Sequence, residues 1–173
     1  MKNKKALISI IAVAVVAVIG IALYFTVFQK GSMDREANAR HIISLMTTYP
    51  DTRYFDPEAI TYLGEGVVTT PEEKEKVKAA SEKVSQNWEE AVGSYFAPNC
   101  FPGLLTYGQA QRFLSDAYFM EQSLSLKEVT LSQEDPYFLD FTVTLLVNGE
   151  ERQETIRFRN DENNLFTFVE IQP

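Results

Sequence analysis

The chain reads as an α+β protein: an apolar N-terminal transmembrane helix, then three to four helices packed on one face of a curled four-stranded antiparallel meander. Three observations carry that reading. Residues Ala6 to Phe28 include no charged side chain. From residue 34 onward apolar residues recur at helical spacing, and beyond residue 124 the period drops to two. Asn148-Gly149 then separates two alternating segments, which is where a type I′ hairpin turn belongs.

Hydrocarbon gives the backbone no hydrogen-bond partner, so the first run is stable in a bilayer only as a helix. At ~1.5 Å per residue, Ala6–Phe28 reaches roughly 34 Å, enough to cross a ~30 Å hydrocarbon core with some tilt. Lys2, Lys4 and Lys5 precede it, whereas Lys30 and Arg35 follow. Lys and Arg set orientation, which predicts a cytoplasmic tail and single-pass membrane anchor in residues 1–30 and an extracytoplasmic domain over 31–173. The basic start and the small residues Gly20 and Ala22 also fit a cleaved signal peptide and a secreted domain. Against cleavage, Leu23 to Phe28 continue almost wholly apolar.

Four of the 16 basic residues lie at or before Lys30, and all 24 acidic residues lie beyond it. Twelve basic against 24 acidic residues leave the exported part near −12. A field of that sign repels phosphates, so nucleic acid is not an expected partner. Cys100 is the only cysteine, which excludes an intrachain disulfide and suits a small buried residue.

The first helix is expected from Asp34 to Tyr49, with Ile42, Leu45, Met46 and Tyr49 on its buried side and Pro50 ending it. A short helix fits Asp56-Pro57-Glu58-Ala59-Ile60, since proline suits a first turn. Thr70-Pro71-Glu72-Glu73 has the residues of a capping box. Beyond it Val77, Ala80, Val84, Trp88, Ala91, Val92, Tyr95 and Phe96 trace one stripe of a long helix. Tyr95 to Tyr107 reads as an apolar loop. Thr106 with Gln109 starts a last helix by the same capping logic, burying Ala110, Phe113, Leu114, Ala117 and Tyr118.

Strands are expected near 124–132, 137–147, 151–159 and 165–171. Centring the hairpin turn on Asn148-Gly149 pairs Val147 with Glu150, Phe141 with Ile156 and Leu139 with Phe158. On the other face it sets Asp140 opposite Arg157 and Thr142 opposite Thr155, as for a sheet covered on one side.

A first helix ending in Tyr49-Pro50, the segment Tyr54-Phe55-Asp56-Pro57-Glu58-Ala59, further helices and a four-stranded meander resemble the nuclear transport factor 2-like superfamily, a cystatin-like α+β group. The resemblance implies a cone-shaped domain over about residues 34–173; the long helix from Pro71 departs from it, since a strand is usual there. A short tail, one span and such a domain are similar to the assembly subunit of bacterial type IV secretion and conjugation systems. That arrangement implies a protein-interaction domain in an envelope complex, with other envelope proteins or a second copy as partners.

The superfamily also includes enzymes with an Asp, His or Tyr in an apolar cavity, where burial raises a carboxylate's pKa into a useful range. His41, Tyr62, Trp88, Asp116 and Tyr118 are the corresponding candidate pocket residues. One His and one distant Cys do not make a zinc set, Gly64-x-Gly66 is no phosphate loop, and no G-x-S-x-G occurs. No catalytic residue, metal or cofactor is therefore assigned, and a small-molecule ligand is not expected. Trp88, Tyr95, Phe96, Phe101, Tyr107, Phe113, Tyr118 and Phe119 are expected mostly in the core. The apolar loop with Phe101, Leu104 and Leu105 either tucks over the cavity mouth, the preferred reading, or faces a partner; with Phe166 and Phe168 on the last strand these are the candidate partner surface. The leading function is a membrane-anchored interaction domain; the alternatives are a tethered ligand-binding or catalytic cone and an envelope sensor or regulator.

Overall fold

The computed structural model describes residues 34–60 and 70–172. The apolar run Ala6–Phe28 and the candidate Tyr62 lie outside the described residues. Within the described residues no helix is long and apolar enough to cross a membrane.

The domain is α+β. Helices α1 (Arg35–Thr47), α2 (Pro57–Ile60), α3 (Pro71–Val92), α4 (Phe101–Thr106) and α5 (Arg112–Phe119) precede β1 (Leu124–Asp135), β2 (Phe138–Val147), β3 (Glu150–Asn160) and β4 (Phe166–Gln172). The strands form one antiparallel sheet in the order β1-β2-β3-β4.

The β2–β3 register is the one that the turn dictates, with Val147 opposite Glu150, Phe141 opposite Ile156 and Leu139 opposite Phe158. Asn148 and Gly149 both have positive φ, 51° and 84°, as a type I′ turn requires. Leu139, Phe141, Val143 and Leu145 thereby share one face, and all are buried in a core cluster with residues of the helices. On the other face Arg157 donates two hydrogen bonds to Asp140, of 2.7 and 2.6 Å. Its guanidinium also lies 4.4 Å from the Phe138 ring centroid, and the Asp140 bonds hold its pKa above the ordinary guanidinium value.

β1 shows how an imperfect alternation can still form one apolar face. Leu124, Leu126, Val129 and Leu131 are spaced two, three and two, yet they oppose Val147, Leu145, Val143 and Phe141. Register shifts between Leu126 and Glu128 and between Leu131 and Gln133 absorb the extra residues. Such bulges add local twist and bend the strand.

The helices depart from their sequence pattern in three places. α1 buries Ala39, Ile42, Ile43, Met46 and Thr47, so its inner face is rotated from the expected stripe and Leu45 and Tyr49 are only half-buried. The cause is packing on two sides, since α1 lies against both β1 and α5. α3 has the expected capping box, with the Thr70 hydroxyl accepting from Glu73 N and the Glu73 carboxylate accepting from Thr70 N. Within the helix only Val84, Trp88 and Val92 of the expected stripe are buried, and the helix stops at Val92. Gly93–Tyr95 form a 3-10 turn, after which Phe96 is extended and bridges to Phe166. The stretch read as a loop contains α4, with Pro102 in its first turn and Thr106 as its last residue rather than a cap. Proline there needs no N–H partner, so a sequence that suggests a break starts a helix instead.

Candidate interaction surfaces

The four candidate pocket residues among the described ones, His41, Trp88, Asp116 and Tyr118, do not converge. His41 is exposed, and its Nδ1 shares a 3.0 Å hydrogen bond with the Tyr95 hydroxyl. Trp88 is fully buried, and its Nε1 donates to the Tyr54 carbonyl at 2.9 Å with the two rings edge to face. It is therefore a core residue that clamps the segment before α2 onto α3. Asp116 is half-buried and lines a cleft with Phe113, Gln122, Leu145, Val147 and Arg152. The space there open to the centre of a water is about 10 Å³, close to what a single water needs. Tyr118, expected inside, is 40 % exposed and packs against Phe55 on the outside. Among the described residues no three His, Cys, Asp or Glu side chains group as a metal site.

The expected partner surface is also redistributed. Leu104 and Phe166 are buried in the core, and Phe101, Leu105 and Phe168 are at most half-exposed. Phe101 packs on Phe96 and Phe168 on Tyr107. The last strand is not a bare edge. Ala97 N donates to Phe166 O at 2.9 Å, and Ile171 N donates to the Gln109 side chain at 3.1 Å. The opposite edge has its own cover, because Arg40 donates to the Val129 carbonyl at 2.6 Å and Arg35 to the Asp135 carbonyl at 3.0 Å. Occupied edge groups and bulges both oppose strand addition by another chain.

Among the described residues, the consecutive run of exposed large apolar side chains is at the end of α5. Tyr118, Phe119 and Met120 are consecutive and 40, 56 and 62 % exposed. No protein-family model, curated protein or solved structure matches the chain.

The sheet has two ends. At the start of β2, Arg35 Nη1 donates to Asp135 O, Pro136 O and the Asn160 side-chain oxygen, and Nη2 donates to Glu134 at 2.8 Å. Asn160 is buried, and its Nδ2 donates to Pro136 O and Asp161 O. One arginine and one asparagine thus join the start of α1 to the β1–β2 and β3–β4 turns. At the finish of β2, Asn148 and Ser123 exchange hydrogen bonds, Asn148 N to Ser123 O at 3.1 Å and Ser123 N to Asn148 Oδ1 at 2.9 Å. That pairing sets the residues just after α5 at the opposite end of the sheet from Arg35.

The sequence did not single out Asn160, Met120 or the arginine caps. Asn160 has the signature of a turn residue, and its partners come from two segments distant in sequence, at Arg35 and at Pro136-Tyr137. Phe119 and Met120 lie where the α5 periodicity stops, which is the one hint that they leave the core.

Proposed function

We propose that this chain is a single-span membrane protein whose extracytoplasmic domain binds other proteins, as a component of a bacterial envelope complex such as a conjugation or secretion apparatus. The uncharged run Ala6–Phe28 and the lysines before it support the anchor and its orientation. The order of helices followed by a four-stranded meander is the part of the nuclear transport factor 2-like pattern that this domain shares, with the helix Pro71–Val92 as its departure. The observation that carries the interaction role is the exposed run Tyr118-Phe119-Met120, in which the Tyr118 and Phe119 rings meet at 5.3 Å, since exposed large apolar side chains that touch one another favour a partner.

Crosslinking in intact cells tests the role. The domain is expected in adducts with other envelope proteins or with itself, and recovery only as an uncrosslinked monomer would contradict it. N-terminal sequencing of the mature chain tests the anchor: an intact start at or near Met1 is expected, and a start near Leu23 would replace the anchor with a signal peptide.

A further inference from the structure

We infer that the Tyr118–Met120 ridge is the docking site for a cationic amphipathic segment of a partner protein. This deepens the interaction reading above and rests on it. The ridge is built rather than loose: the Tyr118 ring lies 5.7 Å from buried Phe55 and 5.3 Å from Phe119. Gln122 N donates back to Ala117 O at 2.8 Å, which fixes the chain just past the helix.

Acidic residues neighbour it in the chain and across the hairpin. Asp116 lies one turn earlier on α5, exposed Glu121 follows Met120, and exposed Glu150 sits on the hairpin that Asn148 ties to Ser123. Among the cations of this end, Arg152 is paired with Glu154 at 2.5 Å and Lys127 with Glu151. Arg112 is the exposed cation on α5 itself. An apolar strip edged by carboxylates, on a domain near −12, complements an apolar helix face edged by Lys or Arg. The same charge repels an anionic lipid surface.

The test uses the full chain in phosphatidylcholine nanodiscs and three synthetic 18-residue peptides: a Lys/Leu amphipathic helix, its Glu/Leu counterpart and a Lys/Ser control. The Lys/Leu peptide alone is expected to bind. Its affinity should fall at least tenfold in Phe119→Ser/Met120→Ser and severalfold between 50 and 300 mM salt, roughly as expected for a few screened charges. Equal binding to the double variant, equal binding of the Glu/Leu peptide, or no binding to the wild-type chain would each overturn the proposal. Ridge-dependent attachment to added phosphatidylglycerol vesicles, without peptide binding, would overturn it in favour of lipid. Cellular crosslinks that persist in the double variant would sink this site while leaving the interaction module standing.

Discussion

The two ends of the sheet solve opposite problems. At the Arg35 end, polar groups from α1 and two turns are drawn inward and satisfied: Asn160 is 6 % exposed and bonded through both side-chain atoms. At the Tyr118 end, large apolar groups are turned outward and left to water. Both arrangements run against simple partitioning, but with different consequences. A buried polar group with its partners in place specifies one geometry, and losing a partner costs the remaining group its full desolvation. An exposed apolar group contributes little to folding and is left free to meet a surface outside the fold. One end reads as architecture and the other as contact surface.

Substitutions at the two ends should therefore separate stability from association. The largest stability effect is expected for Arg35→Ala, which removes one guanidinium from four acceptors. A loss of about 2–3 kcal/mol is expected, as for charged hydrogen bonds in partly buried sites. Asn160→Ala should cost about 2 kcal/mol by stranding the Arg35 and Pro136 groups. Trp88 is the single tryptophan and is fully buried, so urea unfolding followed by its fluorescence reads both effects. A loss below about 0.5 kcal/mol, the usual range of featureless surface substitutions, would refute the architectural role of this end.

A smaller, pH-dependent effect is expected away from both ends, at Asp51. Hydrogen bonds from Arg53 hold its pKa below the ordinary carboxylate value, against a smaller opposing effect of burial. A depressed folded pKa gives stability that is present above the unfolded value and lost as pH falls through the folded one. Arg53→Gln should therefore destabilise slightly at pH 7, with the gap to wild type closing as acid protonates Asp51. A gap that widens in acid would show the sign to be wrong. The smallest stability effect belongs to Phe119→Ser, expected within about 0.5 kcal/mol of wild type. Wild-type unfolding together with lost association would sharpen the contrast, and strong destabilisation would make Phe119 part of the core.

Much of the fold was legible because its determinants are local. The Asn148-Gly149 dipeptide sets a register for ten residue pairs, and Thr70 to Glu73 contain every group of their capping box. Helix faces were less legible. The α1 stripe is rotated by contacts with β1 and α5, neither of which its own spacing encodes. α4 was hidden by prolines that suit both a loop and a helix start. The candidate site was least legible of all. The expected pocket residues were chosen by chemical type, whereas position in the fold separates them: His41 pairs with Tyr95, Trp88 with the Tyr54 backbone, and Asp116 faces the hairpin end. Tyr118 keeps the spacing of a buried residue, but at the last turn of a helix that spacing no longer points inward.

The central claim is that the α5 end, not the Arg35 end, meets other proteins. Photocrosslinking in intact cells from an unnatural side chain at position 119, compared with one at Tyr137, tests it most directly. Tyr137 is a fair control, being 68 % exposed beside the Arg35 junction. Protein adducts from position 119 and none from position 137 are predicted. Adducts from position 137 with none from position 119 would contradict the account.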